Sequence, residues 1–277
     1  RQEFQKYFIS VVIWNFVWVS VILIMAFCGY LTVASSIISG AISGMVNLIL
    51  CLKLVHLKMW TTIRTTEIEY EVKKEFNNFG NWMLLWALFS ILQSKLDVFM
   101  LATFTSAEQV SYYDIASKVI KPVLMVVSAY AQVLNPQFAS MEKSKLKQRI
   151  VAVAKFIGIV SLVIIVGIVA VDPVIKIVFG SKYDNSIVPA QLLLFAIIFY
   201  VWTVPFNSAL YALNKPYIFT IGAFVGLVVT AVGDYFLLNK YGAIGAAITY
   251  IAAQVVALIV SLFAYIIIAI NDNVYVE

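Results

Sequence analysis

The sequence predicts an all-α integral membrane protein with about eight transmembrane helices. Of its 277 residues, 63% are hydrophobic and only 12% are charged, and the mean hydropathy is +0.96. A soluble domain carries about 25% charged residues. The apolar residues also fall in runs of about 20 or more, the length that an α-helix needs to cross about 30 Å of hydrocarbon. The formal charge of +5 therefore follows the membrane topology and does not indicate a nucleic-acid partner.

The apolar runs and the residues that interrupt them divide the chain into three parts. Residues 1–52 hold two spans, which must form a hairpin because some 45 continuous apolar residues are about twice the length of one crossing. Residues 53–77 have mixed charges and predict an amphipathic cytoplasmic connector, the only candidate domain boundary. Residues 78–277 hold the other six spans. The predicted spans lie near 8–29, 31–52, 79–103, 108–138, 150–171, 187–213, 217–238 and 243–270.

The positions of the lysines and arginines predict the orientation. If both ends of the chain lie on the cytoplasmic side, twelve of the 19 basic residues fall in inner segments. Three, Lys176, Lys182 and Lys240, fall outside, and the remaining four lie within spans. This asymmetry follows the positive-inside rule and favours cytoplasmic ends.

The fourth span carries a stripe of polar side chains. Asp114, Lys118 and Lys121 are spaced by four and three residues, so they share one helix face. The same face continues to Gln132 and Asn135. Charges at bilayer depth are costly, so such a stripe indicates a water-filled cavity or a helix contact. One interpretation is an Asp114–Lys118 ion pair neutralised for burial, without a ligand. The other is a cationic wall for an anionic head group, which is favoured because Lys121 has no acidic partner on its own helix.

The third and seventh spans carry further polar residues. Gln93 and Asp97 lie at helical spacing on the third span. Asp97 could pair with Lys118 or Lys121 across a helix interface. Both a structural role and a direct role in coupling stay open for Asp97. Asp234 lies near the outer end of the seventh span and is expected at the interface, after glycines that permit close helix approach.

Several kinds of chemistry are not indicated. The single histidine, His56, lies in a basic cytoplasmic flank, away from the membrane carboxylates. The sequence has no His or Cys cluster with metal-ligand spacing and no glycine-rich phosphate-binding loop. We therefore expect no metal, no cofactor and no enzymatic activity.

Four segments resemble a known family. LDVFML at 96–101 and VSYYDIASK at 110–118 resemble the seventh and eighth helices of polysaccharide flippases of the MOP superfamily, the Wzx-type exporters of lipid-linked oligosaccharides. FGSKY at 179–183 and LNKYGAIGAA at 238–247 keep the same order. The resemblance covers about residues 78–260.

The resemblance implies an architecture. The first two spans would be the fifth and sixth helices of a transporter with twelve or fourteen helices, closing its first lobe, and the first four helices would be missing from this chain. The last six spans would form the second lobe, and the central cavity between the lobes would open alternately to each side. The implied substrate-binding residues are Lys118, Lys121, Asp114, Asp97, Gln93 and Gln132. The lysines would hold pyrophosphate as point charges, where arginine-rich relatives bind bidentately.

The expected function is the outward flipping of a polyprenyl-pyrophosphate-linked oligosaccharide across the cell membrane, for surface polysaccharide biosynthesis. The expected partners are this glycan, the lipid bilayer, and a glycan polymerase or other assembly proteins. One alternative is a cation-coupled multidrug exporter of the MATE type, which predicts an acidic cavity; the deep charges here include lysines. Another is a membrane glycan-modifying transferase, which would need a catalytic side chain in a sizeable polar loop, whereas the outer loops are short.

Overall fold

The computed structural model describes residues 79–142 and 145–271, and in the N-terminal part residues 19–27, 29–30, 32, 35, 38–40, 42–46 and 49. The chain divides into two compact units, Arg1–Lys73 and Lys74–Glu277. In the first unit, residues 19–27, 38–40 and 42–46 are helical. Gly29 has a left-handed φ of +73°, at the break predicted between the first two spans. Most of those spans and the connector at 53–77 lie outside the described residues.

The second unit consists of long helices. They are α1 (Asn81–Phe104), α2 (Ala107–Ala139), α3 (Leu146–Val178), a short 3-10 helix (Ser181–Ser186), α4 (Ile187–Ala212) and α5 (Tyr217–Asn271). All five α-helices are long and apolar enough to cross a membrane, and the described residues contain no β-strand. The prediction of an all-α integral membrane protein is therefore confirmed.

Helix α5 is two spans joined at a sharp break. Gly242 adopts φ +53° and ψ −129°, a conformation that needs glycine, and it separates a first arm (217–241) from a second arm (243–271). The arms pack side by side, because a Cβ on Gly233 would lie 2.6 Å from Cγ2 of Thr249. A Cβ on Gly245 would likewise lie 2.7 Å from the backbone oxygen of Leu237. The arms correspond to the predicted spans 217–238 and 243–270.

Helix α4 lies at the centre of the unit. It packs against α2, α3 and α5, and α1 packs against α5. Its buried side chains include Leu193, Ile197, Val201 and Leu210. Since α4 holds the core, α1, α2 and α3 each bury one face and leave another exposed. The chemistry of those exposed faces distinguishes the helices.

Candidate functional site

Helix α2 exposes charged side chains within a stretch that is long and apolar enough to cross a membrane. Lys118 Nζ lies 2.6 Å from Asp114 Oδ2, and both side chains are more than half exposed. Lys121 and Gln132 are exposed on the same helix. At a rise of 1.5 Å per residue, Lys118 lies about 16 Å from the start of α2 and about 31 Å from its end. We call the exposed residues Asp114, Lys118, Lys121 and Gln132 the charged face of α2.

Helix α3 exposes an apolar surface of the kind that faces lipid. Its exposed residues include Ile159, Leu162, Val166 and Val169, which are 62–75% exposed. Acyl chains can cover such a surface without leaving any polar group unpaired. They cannot cover the charged face of α2 without a large desolvation cost. The charged face therefore suits water or a polar partner, not lipid.

Two acidic side chains lie together inside the helix bundle. Asp97 of α1 is 5% exposed, and its Oδ2 accepts a hydrogen bond of 2.7 Å from the Tyr113 hydroxyl of α2. Asp234, on the first arm of α5, is fully buried and interacts electrostatically with Asp97. Among the described residues, Asp97 Oδ1 has no hydrogen-bond partner, and Thr249 of the second arm is the polar neighbour of the Asp234 carboxyl group. We call Asp97 and Asp234 the acid pair.

The acid pair needs a positive charge or protons. Two carboxylates buried side by side are costly, because burial and their mutual repulsion both disfavour the charged forms. A proton on one of them, or a cation between them, would lower this cost. Within the described part of the chain, no group of three or more His, Cys, Asp and Glu side chains could hold a metal ion. Two carboxyl groups beside the hydroxyl groups of Tyr113 and Thr249 are suited to binding protons or a small cation.

A cavity of about 430 Å³ lies between α1, α2, α4 and both arms of α5, and its mainly apolar lining includes several uncharged polar side chains. It falls in the size range of small-molecule sites, about 300–1,000 Å³. Gln93 lines it, and its Nε2 lies 3.4 Å from the Thr230 hydroxyl, one helical turn from Asp234. Tyr250, which also lines the cavity, interacts electrostatically with Asp97. The cavity therefore adjoins the acid pair. We call it the bundle cavity.

The structure separates the residues that the sequence grouped together. Asp97 pairs with Tyr113, so the expectation that it pairs with Lys118 or Lys121 is wrong in this structure. The Asp114–Lys118 ion pair is present, but it is exposed and not buried. Gln93 lines the bundle cavity. The predicted set thus divides among the charged face, the acid pair and the bundle cavity.

Two features were missed from the sequence. The burial of Asp234 was not predicted; Gly233 lets the second arm of α5 approach and cover this side chain, whose expected place at the membrane interface stays a prediction. The bundle cavity was not predicted, because its lining comes from five helical segments. An available signal was the recurrence of side-chain amides in apolar spans, at Asn135, Asn207 and Gln254.

Comparison with known proteins gives one family and two relatives. The family model described as "Polysaccharide biosynthesis protein" matches residues 1–188. A Shigella flexneri protein named as an O-antigen transporter is 29% identical to this chain over 185 residues. The match covers 65% of this chain and 44% of the relative. The teichuronic acid biosynthesis protein TuaB of Bacillus subtilis (strain 168) is 24% identical over 196 residues, covering 68% and 41%. The chain spans less than half the length of each relative. No solved structure matches significantly.

Proposed function

Because the chain belongs to the polysaccharide biosynthesis protein family, we propose that it moves a polyprenyl-pyrophosphate-linked oligosaccharide outward across the cytoplasmic membrane by alternating access. The chain is a multi-pass membrane protein, and its similarity supports a flippase-type role in polysaccharide synthesis. The six spans of the second unit would form one lobe, and a second lobe would supply the opposite wall of the central cavity.

The charged face of α2 is the observation that carries this proposal. Its cations are exposed at the depth of the membrane, where lipid is an unsuitable neighbour. Among the described residues, Lys121 has no ion-pair partner, so it supplies a positive charge that Asp114, already paired with Lys118, does not neutralise. Lys118 and Lys121 would bind the pyrophosphate as point charges. Asp114 would reduce the net positive charge of this face. The pyrophosphate would then be bound weakly enough to leave after the lobes have changed orientation.

The acid pair supports a cation as the driving force of the same transporter. Asp97 and Asp234 would bind protons or a monovalent cation in one conformation and release it in the other. Such a pair is what a cation-coupled exporter of the MATE type would also use. However, no acidic side chain of the described residues lines the bundle cavity, where a cationic drug would need one. The charges therefore favour an anionic lipid-linked substrate, with the acid pair as the coupling site.

Glycan export in a flippase-deficient strain, complemented with the complete gene, tests the proposal. The test variant combines Lys118→Ala with Lys121→Ala. A matched control is Lys176→Ala, because Lys176 Nζ lies 2.7 Å from Asp172 in another i,i+4 ion pair with about half of each side chain exposed. We expect the wild type and the control to restore surface polysaccharide, and the double variant to fail at a normal protein level. Full export by the double variant would refute the pyrophosphate role of the lysines, and failure of the wild type would refute the function.

A further inference from the structure

The lining of the bundle cavity is mainly apolar, and the polar side chains that the described residues add to it are uncharged. Four side-chain amides face it from α1, α2, α4 and the second arm of α5, namely Gln93, Asn135, Asn207 and Gln254. In the part of the chain that the structure describes, no Asp, Glu, Lys, Arg or His lines it. Side-chain amides both donate and accept hydrogen bonds, whereas a carboxylate only accepts and an ammonium group only donates. The lining therefore suits a ligand that is itself an uncharged donor and acceptor.

The hydrogen bonds inside the cavity leave amide groups available. The Ser208 hydroxyl donates to Asn135 Oδ1, and the Ser261 hydroxyl donates to Asn207 Oδ1, each at 2.8 Å. These bonds fix the two amides and leave their NH2 groups without a partner among the described residues. Gln254 has no hydrogen bond to another described residue. Fixed amides with unused donors form a preorganised binding surface.

Aromatic rings complete the lining. Tyr200, Tyr211 and Tyr250 face the cavity, together with Trp86. Flat aromatic faces pack against flat, weakly polar surfaces, and their hydroxyl and indole groups still form hydrogen bonds at the edge. A pyranose ring combines both properties, because its C–H bonds form apolar faces while its hydroxyl groups project at the rim. An acyl chain would leave the amides unpaired, and an ion would find no opposite charge.

We propose that the bundle cavity binds uncharged sugar residues of the oligosaccharide, at a subsite separate from the charged face of α2. This inference rests on the proposed function. Along α2, Lys121 and Asn135 are 14 residues apart, or about 21 Å at 1.5 Å per residue. An oligosaccharide of several sugar residues spans this separation, so pyrophosphate and glycan can occupy the two regions together. The bundle cavity then selects the sugar, and the charged face holds the lipid-phosphate end.

Binding of a phosphate-free glycan separates the two regions. The probe is the oligosaccharide released by mild acid from the lipid-linked intermediate of the same strain, and it is titrated against the purified full-length transporter in nanodiscs. The first variant is Gln254→Leu, which removes an amide without leaving a partner unpaired. The second combines Asn207→Leu with Ser261→Ala and so removes both members of a hydrogen-bonded pair, a change that proteins tolerate better than removal of one. Asn239→Leu, at an exposed amide outside the bundle cavity, is the matched control.

We expect each cavity variant to weaken oligosaccharide binding about tenfold or more, which corresponds to ~1.4 kcal/mol. The control and the Lys118→Ala, Lys121→Ala variant should bind the oligosaccharide as the wild type does. Unchanged binding by both cavity variants, or loss of binding in the lysine variant, would overturn the inference. The complementation experiment measures export by the wild type separately. If the wild type exports glycan but the cavity variants bind the oligosaccharide normally, the subsite is refuted and the proposed function still stands.

Discussion

Replacing Gly242 by alanine should destabilise the second unit through strain at the break in α5. Gly242 has φ +53° and ψ −129°, so a side chain there is strained whatever its surroundings. A Cβ would also lie 2.6 Å from Cδ of Gln109. The Gln109 Oε1 accepts a hydrogen bond of 2.9 Å from the Ala243 N–H, one of the first donors of the second arm of α5. The new methyl group would displace that amide.

Two contributions give the size of the effect. The backbone conformation costs about 1–3 kcal/mol for a residue other than glycine. Loss of the Gln109–Ala243 hydrogen bond adds about 1 kcal/mol. Gly242→Ala should therefore lower the free energy of unfolding by about 2–4 kcal/mol. A Gln109→Ala change in the same chain relieves the contact but not the backbone strain, so it should recover at most a small part of the loss.

Reversible unfolding in mixed micelles, followed by circular dichroism, measures this free energy. The matched control is Gly167→Ala in α3, where an added Cβ would meet no atom within 4 Å and the backbone is helical. Alanine is the better helix former, so the control should be neutral or more stable by up to about 1 kcal/mol. If Gly242→Ala differed from the wild type by less than about 0.5 kcal/mol, the hairpin geometry of α5 would be wrong.

Three further predictions concern the charged groups. Tyr113→Phe should cost about 1–3 kcal/mol of unfolding free energy because it leaves Asp97 without its hydrogen-bond donor; an unchanged unfolding curve would contradict that bond. Asp114→Ala should change the unfolding free energy by less than about 1 kcal/mol, as should Asp172→Ala, because both ion pairs are exposed. Larger losses would mean that the Asp114–Lys118 pair is buried in the native protein. Asp97→Asn and Asp234→Asn should each abolish the dependence of glycan export on sodium or pH at normal protein levels; export that keeps its ion dependence would exclude the acid pair as the coupling site.

Most of the helix positions could be predicted from the sequence, because an apolar run marks the part of a helix that lies in hydrocarbon. The predicted ends were less accurate for helices that extend beyond the hydrocarbon. The predicted span 150–171 ended before Asp172, yet α3 continues to Val178. Asp172 and Lys176 form an i,i+4 ion pair that is compatible with the helix. Charged residues therefore ended the apolar run without ending the helix.

The charged face of α2 could be predicted because it depends on spacing within one helix. The acid pair and the bundle cavity could not, because they depend on how different helices pack. Nothing near Asp234 in the sequence shows that Thr249 of the second arm will lie against Gly233 and cover the carboxyl group. In the same way, Asn135 and Asn207 line one cavity only because α2 and α4 pack together. Local periodicity carries no information about such pairs.

The most direct test of a water-filled path along α2 is the reaction of single cysteines with a water-soluble maleimide in intact membranes. Met125 lies four residues after Lys121, on the charged face of α2. Met125 and Val166 of α3 are 61% and 64% exposed, so they differ in their surroundings and not in their accessibility within the chain. With Cys28 and Cys51 replaced by serine, Met125→Cys should react and Val166→Cys should not, because only the α2 position faces water. Equal protection of both cysteines would place the charged face against lipid or protein and contradict the transport path proposed here.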